Sequence, residues 1–141
     1  MSVRILVVDD FEPWRRMVFT LLQDHPEWQI VAEAADGWEA VQKSEQLRPD
    51  LILLDIGLPR LNGIEAARHI SRLAPCSRIL FVSENICPVI AGEALRAGGW
   101  GYVVKSDAAN DLLSAMEAAI HDQRFVSSRL RNNDLTDLSD P

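Results

Sequence analysis

A short apolar run in the middle of the chain constrains its fold more than any other feature. Residues 51–54 are Leu-Ile-Leu-Leu, preceded by Asp50 and followed by Asp55 and a segment that contains Pro59 and Gly63. Four large apolar residues between polar neighbours are typical of a strand buried on both faces, as in parallel sheets. A carboxylate directly after such a strand indicates a ligand crevice at the carboxyl end of the sheet, so we interpret Asp55 as the chemical centre.

Four other segments predict strands that alternate with helices along the chain. Residues 4–8 and 78–82 are mainly apolar, a short strand is expected at 101–104, and the mixed segment 28–33 is typical of an edge strand. Five alternating strands and helices predict a three-layer α/β/α fold with a five-stranded parallel sheet and right-handed crossovers. In the strand order 2-1-3-4-5, the first and third strands are neighbours at the point where ligands bind.

Two helix starts carry a specific signal. Asp36 is followed three residues later by Glu39, and Asn62 is followed in the same way by Glu65. In this capping pattern, the side chain of the first residue accepts a hydrogen bond from the main chain of the third residue after it. We therefore expect helices to begin directly after Asp36 and Asn62.

Five polar side chains are expected along one rim because they all follow strands: Asp9, Asp10, Asp55, Ser83 and Lys105. Three clustered carboxylates repel one another unless a cation joins them, and Mg²⁺ prefers hard oxygen ligands and shares its coordination sphere with phosphate. A serine hydroxyl and a lysine ammonium suit the oxygens of a phosphoryl group. Asp55 is then a candidate nucleophile that forms an aspartyl phosphate.

Composition excludes several other classes of protein. The net charge is −7, and the 14 lysine and arginine residues are spread along the chain, which argues against nucleic-acid binding by this chain. Apolar runs reach only about five residues, far below the roughly 20 of a membrane span. The residues before the first strand do not form a signal peptide. We expect a cytoplasmic protein without direct membrane or nucleic-acid contacts.

These residues resemble those of response-regulator receiver domains in two-component signalling, which have the flavodoxin-like or CheY-like fold. The resemblance covers roughly residues 3–123, and the pattern at 94–105 and 124–128 is most similar to receivers that precede helix-turn-helix domains of the NarL/FixJ type. The matching motifs are Asp9-Asp10, Asp55-x-x-x-Pro59-x-x-x-Gly63, Ser83 and Tyr102-x-x-Lys105.

The resemblance implies a role for each matching position. Asp55 is the phosphoacceptor; Asp9, Asp10, Asp55 and the backbone carbonyl of Gly57 hold Mg²⁺; Ser83 and Lys105 contact the phosphoryl group; Ser83 and Tyr102 form the switch, with Tyr102 moving inward. The expected partners are a sensor histidine kinase or phosphotransfer protein, a downstream protein and a second copy in a homodimer. Such a domain catalyses only its own phosphorylation and dephosphorylation, so it is not an enzyme in the ordinary sense.

Simpler interpretations stand beside these roles. Asp9 and Asp10 are also suited to helix capping, Tyr102 to covering the sheet edge, and Trp14 to packing. Many receivers have proline, with a cis peptide bond, where this chain has Ser106. Either Ser106 or the next residue is expected to cap the last helix.

The domain boundaries leave two functions open. Residues 1–123 are expected to form the receiver, and residues 124–141 a polar extension that is too short to be an output domain. The chain is therefore a stand-alone receiver or part of a longer DNA-binding regulator. A Mg²⁺-dependent aspartyl-phosphate phosphatase is less favoured, because its general acid would occupy the position of Gly57. A flavin-binding domain is also less favoured, because the loop of residues 9–12, with three acidic side chains, would repel phosphate.

Overall fold

Six strands form one parallel sheet, and helices cover both of its faces. The computed structural model describes residues 2–131. The sheet order is β2-β1-β3-β4-β5-β6, which confirms the predicted order and adds one strand to the predicted five. In chain order the elements are β1 (Val3–Val8), α1 (Glu12–Leu22), β2 (Trp28–Ala34), α2 (Gly37–Leu47), β3 (Leu51–Leu54), α3 (Gly63–Leu73), β4 (Arg78–Ser83), α4 (Pro88–Arg96), β5 (Gly99–Val104), a 3₁₀ turn (Lys105–Asp107), α5 (Ala108–Ile120), β6 (Phe125–Val126) and α6 (Ser128–Arg131).

The alternation of side chains along the central strands divides the core into two layers. Leu51 and Leu53 of β3 face the layer that includes α1 and α5, whereas Ile52 and Leu54 face the layer under α2, α3 and α4. All four side chains are at most 2 % exposed. A strand that is apolar on both faces therefore lies in the centre of the sheet, as predicted from residues 51–54.

The added strand is the main structural difference from the sequence-based expectation. Phe125 and Val126 pair in parallel with Gly101 and Tyr102 of β5, within the segment expected to be an extension. Strand β5 also begins at Gly99, two residues earlier than predicted. The short β6 was missed because two residues are too few to show a strand pattern. The acidic tail at 132–141 lies outside the described residues.

The helix starts agree with the capping patterns at two of three positions. Asp36 Oδ1 accepts a hydrogen bond from the Glu39 N–H at 2.8 Å, and Asn62 Oδ1 accepts one from the Glu65 N–H at 3.0 Å. Asp107 precedes α5, but its side chain makes no capping bond and pairs instead with Arg129. Its carboxylate thus connects the start of α5 to α6.

The arrangement of β1 and β3 positions the polar rim. The two strands pair directly, and the Asp55 N–H donates to the Val8 carbonyl at 3.1 Å just beyond the paired residues. Because all strands are parallel, the residues that come after β1, β3, β4 and β5 emerge at the same edge. Within residues 2–131, none of the helices has the length and apolar character needed to span a membrane.

Candidate functional site: an acidic cavity at the carboxyl ends of the strands

The five polar side chains predicted for the rim line a single cavity of about 620 Å³. The cavity opens beside the carboxyl ends of β1, β3, β4 and β5. Asp9, Asp55 and Lys105 come directly after β1, β3 and β5, and Ser83 is the last residue of β4. Asp10 is the exposed member of the group. The remaining lining residues are Phe11, Ile56, Gly57, Glu84 and Asn85.

Asp9 is the most deeply buried charge at this site, with 1 % of its surface exposed. Its Oδ1 accepts a hydrogen bond from the Phe11 N–H at 2.9 Å, and its backbone carbonyl accepts one from Arg15 Nη1 at 2.6 Å. Its Oδ2 forms an ion pair with Lys105 Nζ at 2.6 Å. A buried carboxylate requires such partners, because taking its charge out of water is costly.

Asp55 is held less strongly than Asp9. Its Oδ1 accepts a hydrogen bond from the Ile56 N–H at 2.8 Å, and its Oδ2 lies 3.6 Å from Lys105 Nζ. Burial raises the pKa of the Asp55 carboxyl, and the nearby charge of Asp9 raises it further, whereas Lys105 and the Ile56 N–H oppose the rise. Additional positive charge in this cavity would therefore favour the ionised form of Asp55.

The three acids also satisfy a geometric requirement for a shared cation. Asp9, Asp10 and Asp55 each offer one carboxylate oxygen, and these oxygens all lie within 4.8 Å of one another. Carboxylate oxygens this close to one another would suit Mg²⁺, which prefers hard oxygen ligands. Among the described residues, Oδ2 of Asp9 is buried and, apart from its ion pair with Lys105, accepts no hydrogen bond, which leaves a lone pair open to a cation.

The glycine of the Asp55-x-x-x-Pro59-x-x-x-Gly63 motif is required by the close approach of two backbone segments. A Cβ atom at Gly63 would lie 1.9 Å from the backbone oxygen of Asp55. The Gly63 N–H also donates to the Ile56 carbonyl at 2.8 Å. These contacts hold the start of α3 against the residue that comes after β3, and they fix the loop that carries Gly57.

Gly57 lies on the cavity lining and is exposed. A Cβ atom at this position would meet no atom within 4 Å. Position 57 therefore has room for a side chain at the edge of the cavity. The assignment of the Gly57 carbonyl as a metal ligand stays a prediction.

Ser83, Asn85 and Tyr102 form a short hydrogen-bonded series next to the acids. Ser83 Oγ accepts from the Asn85 N–H at 3.1 Å, and the Tyr102 hydroxyl donates to the Asn85 carbonyl at 2.8 Å. Tyr102 is 0 % exposed, and its burial raises the pKa of its hydroxyl. The ring, expected to move inward upon phosphorylation, is thus already inward in this structure.

Two site residues were not recognised from the sequence. Trp14, interpreted as a packing residue, has the Lys105 ammonium over its ring at 5.0 Å from the centroid. Arg15 connects the Asp9 carbonyl to Glu33, whose Oε1 lies 2.8 Å from Arg15 Nε. Both residues lie in the first turns of α1, shortly after the acid pair. That position in the sequence is the signal that could have indicated them.

The Lys105–Ser106 peptide bond is trans, unlike the cis bond of many receivers with proline at this position. Lys105 nevertheless reaches the acids, with its side chain 12 % exposed. The short 3₁₀ turn that starts at Lys105 carries the chain directly into α5.

Comparison with known proteins identifies the family. The family model described as response regulator receiver domain matches residues 5–117. The chain belongs to this family. The predicted receiver of two-component signalling is therefore confirmed, and similar solved structures include receivers of NarL- and LuxR-family regulators.

Individual relatives of this receiver domain are longer proteins of different kinds. The transcriptional regulatory protein DegU of Brevibacillus brevis is 30 % identical over 132 residues, which are 94 % of this chain and 56 % of DegU. A protein-glutamate methylesterase/protein-glutamine glutaminase of Geobacter metallireducens is 40 % identical over 119 residues, which are 83 % of this chain and 32 % of that protein. The chain thus spans about half or less of the length of these curated relatives.

A solved structure supports the fold over nearly the whole receiver. A two-component response regulator of the LuxR family from Aurantimonas sp. SI85-9A1 is similar with a TM-score of 0.90 and 34 % identity. The similarity covers 97 % of this chain and 98 % of that one. The CheY-like fold predicted from the sequence is confirmed.

Proposed function

We propose that this receiver accepts a phosphoryl group on Asp55 from a histidine kinase or phosphotransfer protein, with Mg²⁺ held by Asp9, Asp10 and Asp55. The observation that carries the proposal is the position of Asp55 in the acidic cavity, with its Oδ2 3.6 Å from Lys105 Nζ. Mg²⁺ would neutralise charge on the acids and on the phosphoryl oxygens. The Gly57 carbonyl is proposed as a further ligand.

The transfer uses an ionised carboxylate as nucleophile. An oxygen of Asp55 attacks the phosphorus of a phosphohistidine, a new O–P bond forms, and the P–N bond breaks with its electron pair left on the imidazole. Lys105 supplies positive charge beside the phosphoryl oxygens, and the Ser83 hydroxyl can donate to one of them. Lys105 and the Ile56 N–H favour the ionised form of Asp55, against burial and Asp9, which raise the pKa of its carboxyl.

Transmission of the signal is proposed to begin at Ser83. If its hydroxyl turns to a phosphoryl oxygen, its hydrogen bond with the Asn85 N–H has to change. The carbonyl of Asn85 holds the Tyr102 hydroxyl, so the loop connects the phosphoryl group to β5. Because Tyr102 is already inward, phosphorylation would act by fixing this arrangement or releasing it, and both shift the populations of two states.

The phosphodonor protein is proposed to contact the apolar surface next to the cavity. Phe11, Met17 and Ile86 are exposed by 61 %, 38 % and 56 %, and all three line a groove of about 570 Å³. Phe11 and Lys105 line this groove and the acidic cavity as well. A protein that brings a phosphohistidine to Asp55 has to cover this adjoining surface.

We further infer that this chain acts through protein contacts and not through its own binding of DNA. The net charge of −7 supports this interpretation, since duplex DNA attracts clustered positive charge. The similarity to transcriptional regulators about twice as long supports a second form of the function, in which this receiver controls a DNA-binding domain. Titration of a random duplex at two salt concentrations tests the first point, and salt-sensitive submicromolar binding would contradict it.

Intact-mass measurement tests the central proposal. The chain is incubated with Mg²⁺ and acetyl phosphate, and we expect one added phosphoryl group in the parent, none in Asp55→Asn and none after removal of Mg²⁺ with a chelator. Asp24→Asn is the matched control, because Asp24 is an exposed aspartate after α1. Equal labelling of Asp55→Asn, or labelling that a chelator leaves unchanged, rules the proposal out. Rapid release of inorganic phosphate with no phosphoryl group retained on the chain would instead favour a phosphatase.

A further inference from the structure

The ammonium group of Lys105 has three neighbours in the structure. It lies 2.6 Å from Asp9 Oδ2, 3.6 Å from Asp55 Oδ2 and 5.0 Å from the centroid of the Trp14 ring. Building on the function proposed above, we infer that Trp14 is a positioning residue for phosphorylation. Its ring stays in contact with the Lys105 ammonium while that group moves from Asp9 toward the phosphoryl group that forms on Asp55.

The need for such a residue arises from the resting geometry. Lys105 is closer to Asp9 than to Asp55, so an ammonium group that serves a phosphoryl group on Asp55 has to leave its shorter contact. Lysine has a flexible four-carbon stem, and without another contact it would sample many conformations during this exchange. A contact with the ammonium that persists both beside Asp9 and beside the phosphoryl group limits the number of conformations that the Lys105 side chain samples.

An aromatic ring suits this purpose better than another polar group. The ring attracts the positive charge through its quadrupole and makes no directional bond with an N–H group. Lysine has three N–H donors, and all three stay available to the oxygens of Asp9, Asp55 and the phosphoryl group. Tryptophan has the strongest such attraction among the aromatic side chains.

Trp14 is itself held in place by the start of α1. The backbone N–H of Trp14 donates to the Phe11 carbonyl at 3.0 Å, and Pro13 lies in the first turn of the helix. The half-buried ring packs against the apolar layer between the sheet and α1 and α5. The next residue, Arg15, holds the Asp9 carbonyl at 2.6 Å. The first turns of α1 therefore support both Asp9 and Lys105.

The test compares phosphorylation rates in a series that weakens the ring. The full chain is incubated with Mg²⁺ and acetyl phosphate, a small donor that needs no protein docking, and the rate is followed by intact mass. We expect Trp14→Leu to be about three- to tenfold slower than the parent and Trp14→Phe to lie between them. Trp38→Leu is the control, because Trp38 is a partly exposed tryptophan on α2 next to His69.

A second measurement separates attraction of the charge from packing. Fluorination of the indole weakens its attraction for cations with little change in shape. Biosynthetic fluorotryptophan replaces all four tryptophans, so it is introduced into the parent and into Trp14→Phe. We expect fluorination to slow phosphorylation in the parent and to leave Trp14→Phe unchanged. The fluorotryptophan comparison also tests the role of Trp14 if the Trp14→Leu variant does not fold.

The possible results distinguish this inference from the proposed function. If the parent is phosphorylated on Asp55 and Trp14→Leu reacts at the same rate as Trp38→Leu, the role of Trp14 is overturned and the proposed function stands. Equal slowing of the parent and Trp14→Phe by fluorination also overturns it, because other tryptophans would then be responsible. A parent that gains no phosphoryl group on Asp55 refutes the proposed function, and the role of Trp14 fails with it.

Discussion

The carboxyl ends of the strands and the outer edge of β5 differ in how they are stabilised. At the strand ends, Asp9 and Asp55 are buried next to each other, with Lys105 as the counter-charge. At the edge, Ser127 Oγ accepts from the Val104 N–H at 2.9 Å, and the Ser127 N–H donates to the Tyr102 carbonyl at 3.0 Å.

This difference separates what the two regions contribute. Burial of like charges at the strand ends costs stability, whereas at the edge the backbone groups are hydrogen-bonded and Leu130 is completely buried. Tyr102 belongs to both regions, since its hydroxyl contacts the loop after β4 and its carbonyl contacts Ser127. We conclude that residues 124–130 stabilise the receiver, although they come after the part that forms its site.

The largest effect expected from this comparison is a loss of stability in Leu130→Ala. Leu130 is 0 % exposed and packs in the same apolar layer as Tyr102 and Val104. Its truncation leaves a cavity, and we expect the free energy of unfolding to fall by about 2–4 kcal/mol. Urea denaturation measures this change. Leu73→Ala is the control, because Leu73 is 38 % exposed, and similar losses for both variants would contradict a stabilising edge.

The two regions also differ in how well the sequence predicted them. The proximity of Asp9, Asp10, Asp55 and Lys105 was predicted because each comes after an apolar strand, and parallel strands end at the same edge. That argument needs no side-chain coordinates. The edge was missed because β6 has only two residues and Ser127 acts through backbone groups of β5, a tertiary contact that has no local signal.

Within the site, the sequence located residues but not all their contacts. It placed Tyr102 on β5, but the inward position of the ring depends on the packing around it. It placed Trp14 on α1, but its contact with Lys105 joins two distant parts of the chain. Spacing within one element cannot reveal such a contact.

A second prediction concerns the surface proposed to receive the phosphodonor protein. The test uses a purified histidine kinase that phosphorylates the parent. Met17→Asp should receive the phosphoryl group from this kinase about tenfold more slowly than the parent, because the new charge would be buried in the contact. Phosphorylation by acetyl phosphate should stay within about twofold of the parent. Val31→Asp, at an equal 38 % exposure on the edge strand β2, is the control. Equal slowing by both variants would show that the groove has no special role.

The third prediction uses pH to contrast the two regions. Burial and the charge of Asp9 raise the pKa of Asp55 in the folded protein. Above this raised pKa the ionised carboxylate lowers the stability of the fold, and this loss of stability diminishes as the pH falls through the raised pKa. Without divalent cations, Asp55→Asn should therefore raise the free energy of unfolding at pH 7 by on the order of 1 kcal/mol. The gain should shrink toward acid pH.

Asp107 at the edge should show the opposite sign in the same experiment. A hydrogen bond from Arg129 lowers the pKa of Asp107, so this carboxylate contributes stability that is lost as the pH falls through its folded-state pKa. Asp107→Asn should destabilise the protein at pH 7, and the difference should vanish in acid. Urea denaturation at several pH values measures both variants, and the same sign for the two would contradict the comparison.

The smallest effect is expected for the lifetime of the phosphoryl group. An aspartyl phosphate is lost when water attacks in line with the bond to Asp55, and a side chain that holds this water speeds the reaction. Gly57 offers no side chain, although a Cβ atom there would meet nothing within 4 Å. Asn85, the other residue beside this approach, is uncharged and a weak base at most. Gly57→Asn should therefore accelerate phosphoryl loss by about two- to fivefold, and its free energy of unfolding should stay close to that of the parent. Quenched intact-mass measurements of the parent, Gly57→Asn and Asn85→Ala follow the decay. A parent that loses its phosphoryl group faster than Gly57→Asn would show that water positioning at residue 57 does not limit the reaction.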